Sequence, residues 1–239
     1  MTDPAARRDE LAAGLTAVRR RIAAACAESG RAPDEVELVV VTKLFPASDV
    51  RLLADLGVSQ VGENRDQEAR EKLTDPLLAD TRLTRHFIGQ LQTNKAGSVV
   101  SYADVVHTVD RRRLVDALQS AADRAYRRPR VLVQVSLDDD AGAAGRGGAP
   151  ADEVAALADA VADAPALELG GVMAVAPVDG DPDEAFQRLA GVAERLRESH
   201  PGATWVSAGM SGDLEAAIRH GATHLRVGSA ILGSRPALR

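Results

Sequence analysis

Cysteine, aromatic side chains and lysine are all scarce in this sequence, and each shortage narrows what the protein can be. Cys26 is the only cysteine, so no intramolecular disulfide is expected and nothing points to an oxidising compartment. It stands in an apolar helical run, where a thiol behaves as a small hydrophobe. Aromatics make up 3% of the residues, which leaves the core to Val, Leu, Ile and Ala. No apolar stretch approaches the length of a membrane span, and the first fifteen residues, MTDPAARRDELAAGL, lack an apolar signal core. A cytoplasmic protein with no membrane partner is the expectation. The net charge of −6 argues against a nucleic-acid partner. The basic runs Arg111-Arg112-Arg113 and Arg127-Arg128 flank an expected helix and read as its solvated face. Lysine occurs three times, as Lys43, Lys72 and Lys95, among 29 basic residues. Arginine fills nearly every other cationic position, so each lysine has to be weighed by itself.

What the 239 residues do contain is alternation. Asp3-Pro4 opens a helix that runs to about Glu28 and stops at Gly30. Strand patterns then follow at 37–42, 60–62, 84–88, 105–109, 130–137, 167–174, 204–207 and 224–227. Helical patterns separate them at 48–56, 65–73, 94–100, 111–124, 151–162, 183–199, with the last at 211–219. Gly57, Gly202 and Gly221 close elements just before the next strand. The strands are apolar on both faces and joined by crossovers, which is the pattern of a parallel sheet. Eight such strands close into a barrel, so the expected fold is α/β: a single (β/α)8 TIM-like barrel over residues 1–239 with an extra N-terminal helix. An open doubly wound sheet is the alternative, but no GxGxxG follows the first strand. The glycine-rich stretch from Asp138 to Pro150 is too long for a simple turn and reads as a rim loop.

Barrel active sites lie at the carboxyl ends of the strands. There the sequence offers Lys43, Glu63-Asn64, Gly89-Gln90, His107-Thr108, Asp138, Met173, Ser207, and Arg226 with Gly228 and Ser229. Lys43 ends the apolar run of ELVVVTKLFP, either as a charge reaching solvent or as an amine nucleophile at a cavity mouth. Ser211 is placed to cap a helix, and the glycine of RVGSAILG lets the Gly228 and Ser229 amides approach a ligand, so the two segments suggest an anion corner. Together these point to a phosphorylated carbonyl compound held for Schiff-base formation, either a phosphosugar or pyridoxal phosphate. Arg226 either faces a pyridine nitrogen or simply pairs with the phosphate or a neighbouring carboxylate.

Six segments carry a resemblance: VVVTKLFPASDV, VGENRDQE, HFIGQLQTNK, GVMAVAP, SAGMSGDLEAAI and LRVGSAILG. In these the sequence resembles the pyridoxal phosphate homeostasis proteins, relatives of the barrel domain of alanine racemase. The resemblance implies pyridoxal 5'-phosphate as cofactor, with Lys43 as its Schiff-base lysine. It places the phosphate at Ser211, Gly228 and Ser229 with Ser207 nearby, and sets Arg226 before the pyridine nitrogen. It brings Asn64, His86 and Met173 to the neighbourhood of the cofactor. A histidine bonded to the barrel backbone is the competing account of His86. Lys95, beyond the third strand, reads as a solvated helix-face charge. Members of the family bind the cofactor and keep vitamin B6 and amino-acid pools in balance, so apo-enzymes are the implied recipients.

Racemases place a second base, a tyrosine, opposite the lysine from a β-domain that follows their barrel. The sequence ends at Arg239, and Tyr102 and Tyr126 fall in or beside helices, so such a base is expected to be missing. A carrier without efficient catalysis is therefore the leading expectation. A barrel-only racemase is the alternative, and a phosphosugar aldolase ranks third. A monomer is expected, with a dimer as the alternative.

Overall fold

The computed structural model describes residues 3–138 and 147–233. Most of the expected rim loop, residues 139–146, lies outside them.

Eight parallel strands close on themselves in sequence order. They are β1 (Glu37–Val41), β2 (Gln60–Glu63), β3 (Thr84–Phe87), β4 (Val105–Val109), β5 (Arg130–Gln134), β6 (Glu168–Met173), β7 (Trp205–Ser207) and β8 (His224–Val227). Glu37 pairs with His224 and Val40 with Val227, so β8 returns to β1 and leaves no free edge. The expected fold is the one observed.

Alternation along each strand divides the side chains into two sets. Val40, Val61, Phe87, Val106, Val131, Val133, Val172, Val206, Leu225 and Val227 pack outward in one apolar layer with the helices. Val39, Val41, Leu132 and Met173 are buried but stand apart from that layer. They share the barrel interior with polar groups. A bond from His107 on β4 to Ser207 on β7, strands that are not neighbours, can run only through that interior.

Around the barrel lie α1 (Pro4–Glu28), α2 (Ala47–Asp55), α3 (Asp66–Leu73), α4 (Ala96–Tyr102), α5 (Arg112–Arg124), α6 (Val154–Ala162), α7 (Pro182–Ser199), α8 (Leu214–Arg219) and α9 (Ser229–Leu232). Asp3 caps α1 by accepting from the Ala5 N–H, and Pro4 fits the first turn because its missing donor would have had no partner there. Leu11, Leu15, Val18 and Ile22 give α1 a buried stripe against α8 and α9. Gly14 permits the close approach, since a Cβ there would sit 2.6 Å from the Ile231 carbonyl oxygen. Arg7 donates to the Leu232 carbonyl and Asp49, and Arg21 to Ser211 O and both oxygens of Glu215. The extra helix thus fastens the two segments that follow β7 and β8.

Several expectations shift in detail. The helix expected at 94–100 begins as a 3-10 turn, Thr93–Lys95, and becomes α4 only from Ala96. The fifth strand stops at Gln134, and Val135 then makes a single bridge to Ala149. The basic runs do not lie free in solvent throughout: Arg111 pairs with Asp110 and Arg127 with Asp104. Among the described residues no helix is long and apolar enough to cross a membrane.

Candidate functional site

A cavity of about 270 Å³ opens at the carboxyl end of the barrel. Its wall brings together Lys43, Ser211, Arg226, Gly228 and Ser229 with the apolar side chains of Val41, Phe45, Ile88 and Met210. Five of the nine expected site residues therefore meet in one place.

Lys43 sits in a tight turn after β1, closed by the Phe45 N–H donating to the Thr42 carbonyl at 3.1 Å. Leu44, the third residue of that turn, has φ +70°, a left-handed conformation that glycine usually supplies. A leucine held there costs on the order of 1–3 kcal/mol, so the surroundings must impose it.

Across the cavity, the Ser229 hydroxyl donates to Ser211 Oγ at 3.2 Å. Ser211 is not the helix cap expected from the sequence. Residues 211–213 form a turn, Asp213 occupies the cap position, and α8 begins only at Leu214. The serine is thereby free of helix capping and turns its hydroxyl to the cavity. Gly228 precedes α9, whose first amides have no acceptor within their own helix. A Cβ on Gly228 would lie 2.9 Å from the Val41 carbonyl oxygen, so only glycine lets this corner press against the strand that carries Lys43.

Arg226 rises from β8 into the barrel and is 4% exposed. It donates to Ser207 Oγ at 2.7 Å and to the Ala174 carbonyl at 2.8 Å. Burial pulls its guanidinium down to about 10, with Asp213 opposing, so it stays charged at neutral pH.

Ser207, His86, Met173 and Asn64 do not line the cavity. Ser207 lies beneath it as the acceptor for Arg226. Below that, His107 Nδ1 is 3.0 Å from Ser207 Oγ and His107 Nε2 is 2.8 Å from His86 Nδ1. His86 is thus fully buried and paired with a second histidine, where bonding to the barrel backbone was the competing expectation. Burial and the neighbouring His224 push His86 down to about 3, and burial with His86 takes His107 well below its ordinary value. Both rings are neutral at pH 7. Further down, Trp205 stacks on His224 at 3.8 Å, and the Arg130 guanidinium lies over the Trp205 ring at 4.3 Å. Met173 is buried at the end of β6, and Asn64 is half-buried just beyond β2.

Sequence reasoning passed over Lys72. It is 7% exposed in α3 and donates to Glu63 at 2.7 Å, to Glu68 at 2.9 Å and to the Thr42 carbonyl at 2.8 Å, beside Lys43. Its rarity was the available signal: one of three lysines, with glutamates nine and four residues ahead of it. Lys95 is half-exposed, 3.8 Å from Asp66. Among the described residues no group of three or more His, Cys, Asp or Glu side chains is arranged to hold a metal ion.

Residues 15–236 match the family described as alanine racemase, N-terminal domain. A curated relative in Mycobacterium tuberculosis, strain H37Rv, named pyridoxal phosphate homeostasis protein, is 44% identical over 96% of this chain and 94% of its own length. A protein of the same name in Escherichia coli K12 is 37% identical over 95% of this chain and 97% of its own. The solved structure of PipY from Synechococcus elongatus, with PLP bound, superimposes with a TM-score of 0.81 at 30% identity, covering 93% of this chain and all of that one.

Proposed function

We propose that this chain, which belongs to the alanine racemase N-terminal domain family, binds pyridoxal 5'-phosphate at the barrel mouth and serves the cell's balance of that cofactor as a carrier. The observation that supports this most is the meeting of one lysine, one buried arginine and two facing serine hydroxyls around a single small cavity. That donor set suits the cofactor: an anionic end, a flat ring and an aldehyde find hydroxyls, apolar walls and an amine respectively. The names of the relatives and the PLP in the PipY structure support the same ligand.

When bound, the cofactor supplies an aldehyde that condenses with an amine and a ring that withdraws electrons. Lys43 is the amine. Ser211, Ser229 and the amides at Gly228 and Ser229 hold the phosphate, the hydroxyls donating to its oxygens. Arg226 presents a permanent positive charge to the ring nitrogen and denies it a proton, because an arginine does not give one up. Ser207 and His107 keep that guanidinium in place, and Asn64, His86 and Met173 act around the site. Val41, Phe45, Ile88 and Met210 exclude water from the ring faces. The recipients in this reading are apo-enzymes of the cytoplasm.

The test is direct. Purified protein mixed with the cofactor should absorb visible light, and borohydride reduction followed by peptide mapping should place the pyridoxyl group on Lys43. A label on Lys72 or Lys95 would overturn the assignment.

A further inference from the structure

We propose that Glu63, Glu68 and Lys72 are positioning residues for Lys43: the buried cluster fixes the turn that presents the amine without touching the ligand. This rests on the reading of Lys43 as the covalent lysine. The cluster lies outside the cavity wall, on the helix side of β1 and β2, and its bonds fall on both neighbours of Lys43. On one side, the Thr42 hydroxyl donates to Glu63 Oε1 at 2.6 Å while the Thr42 carbonyl accepts from Lys72 Nζ at 2.8 Å. On the other side, the Leu44 N–H donates to Glu68 Oε1. Lys72 bridges the two carboxylates.

Stability alone does not account for such a cluster. Glu63 is fully buried and Lys72 nearly so, and buried ion pairs are seldom better than apolar side chains of similar volume. What charged groups supply here is geometry: three directional bonds on two consecutive peptide groups and a hydroxyl. They hold Leu44 at the positive φ that a leucine does not choose. Without them the turn relaxes and the Lys43 amine loses its fixed aim. Burial resists ionisation of Glu68, but the bonds from Lys72 and the Leu44 N–H hold its carboxyl below the usual range, so it stays an acceptor at neutral pH.

Glu68 is the residue to change, since its side chain is 26% exposed and its loss leaves Glu63 and Lys72 paired. Three variants are compared with the parent: Glu68→Ala, Leu44→Gly and the double variant. Two ligands are titrated, pyridoxal 5'-phosphate and the same molecule with its aldehyde reduced to an alcohol, which fills the cavity without bonding to Lys43. Glu68→Ala should weaken the aldehyde by about tenfold and the alcohol by less than about twofold, the scale of one lost hydrogen bond acting on the amine alone. The double variant should recover most of that loss, because glycine adopts φ +70° unaided. Equal losses for both ligands, no loss, or no recovery by glycine would each overturn the proposal. Amide hydrogen exchange at Leu44 in the ligand-free protein separates this from the functional reading. If the parent binds neither ligand, that reading fails; faster exchange in Glu68→Ala still supports the cluster's role, and unchanged exchange refutes it.

Discussion

His107 and Ser207 sit on strands that are not neighbours in the barrel wall, yet the histidine Nδ1 lies 3.0 Å from the serine Oγ. That contact joins a buried histidine pair to the guanidinium of Arg226, which donates to the same hydroxyl. The arginine's aim is therefore set from below by a chain spanning β3, β4, β7 and β8. Ser207→Ala removes the acceptor of a buried charge and the partner of a buried ring in one step. The expected cost is about 1.5–3 kcal/mol of stability, since hydrogen bonds to charged groups lie in that range. Urea unfolding at neutral pH measures it, and a loss below a few tenths would mean that the chain is not coupled to Arg226.

The same histidines predict a pH dependence. Burial holds His86 near 3 and, with Arg130 adding to it, His224 near 4, while burial also keeps His107 far below its ordinary value. In the unfolded chain each titrates near 6.5. The folded state therefore binds fewer protons than the unfolded state below that pH. This contribution to stability is complete above about 6.5 and is lost as pH falls, through about 4 for His224 and about 3 for His86. Each histidine adds a slope of at most about 1.4 kcal/mol per pH unit, and the three together roughly 4. Urea midpoints measured between pH 7.5 and 5 should fall steeply, and His86→Gln should remove about a third of the slope. A flat profile would show that these rings are charged or solvated in the folded protein.

The alternation of valine-rich runs with glycine-terminated helices made the closed barrel legible, because period and punctuation are local properties of a chain. Lys43, Ser211, Arg226, Gly228 and Ser229 were legible for a related reason: strand ends on a parallel barrel all face one mouth. Lys72 was not. A helical lysine four residues after Glu68 looks like a surface pair, and only the packing of α3 over β2 brings Glu63 beneath it. The His86–His107 contact was hidden similarly, since the two residues lie 21 apart in the chain, on strands whose inward registers coincide only once the barrel closes. Ser211 was misplaced as a cap because a three-residue turn intervenes before α8, and sequence resolves helix starts poorly.

At the opposite corner, the two serines make a prediction about ligand choice. Ser211 and Ser229 share a hydroxyl–hydroxyl contact at 3.2 Å, which a phosphate would replace with two bonds to its own oxygens. Ser211→Ala should weaken pyridoxal 5'-phosphate by about 1.5–3 kcal/mol and leave phosphate-free pyridoxal nearly unchanged. Spectroscopic titration of both vitamers with both proteins measures the difference. Equal affinity of the parent for the two would remove the phosphate from this corner.

Carrier and racemase part on the number of bases that reach the ligand. Racemisation needs a proton taken from one face of the substrate and returned to the other. Lys43 is the one amine in the cavity wall, and Arg226, elsewhere in that wall, remains charged. Neither of the chain's two tyrosines is placed to help. Tyr102 is buried at the end of α4 with its hydroxyl directed to Asp66, 3.4 Å away, and Tyr126 is 98% exposed beyond α5. On the proposed reading, Arg226 before the ring nitrogen would further weaken the ring as an electron sink, and a carbanion next to it would gain little stabilisation. Loaded protein incubated with L- or D-alanine in deuterated water should therefore show negligible exchange at Cα and no inversion, while an apo-enzyme added to it should regain activity as the cofactor transfers. Turnover in the range of roughly 1–10³ s⁻¹ would refute the carrier reading. Such turnover would also require a second base from outside the residues that line this cavity.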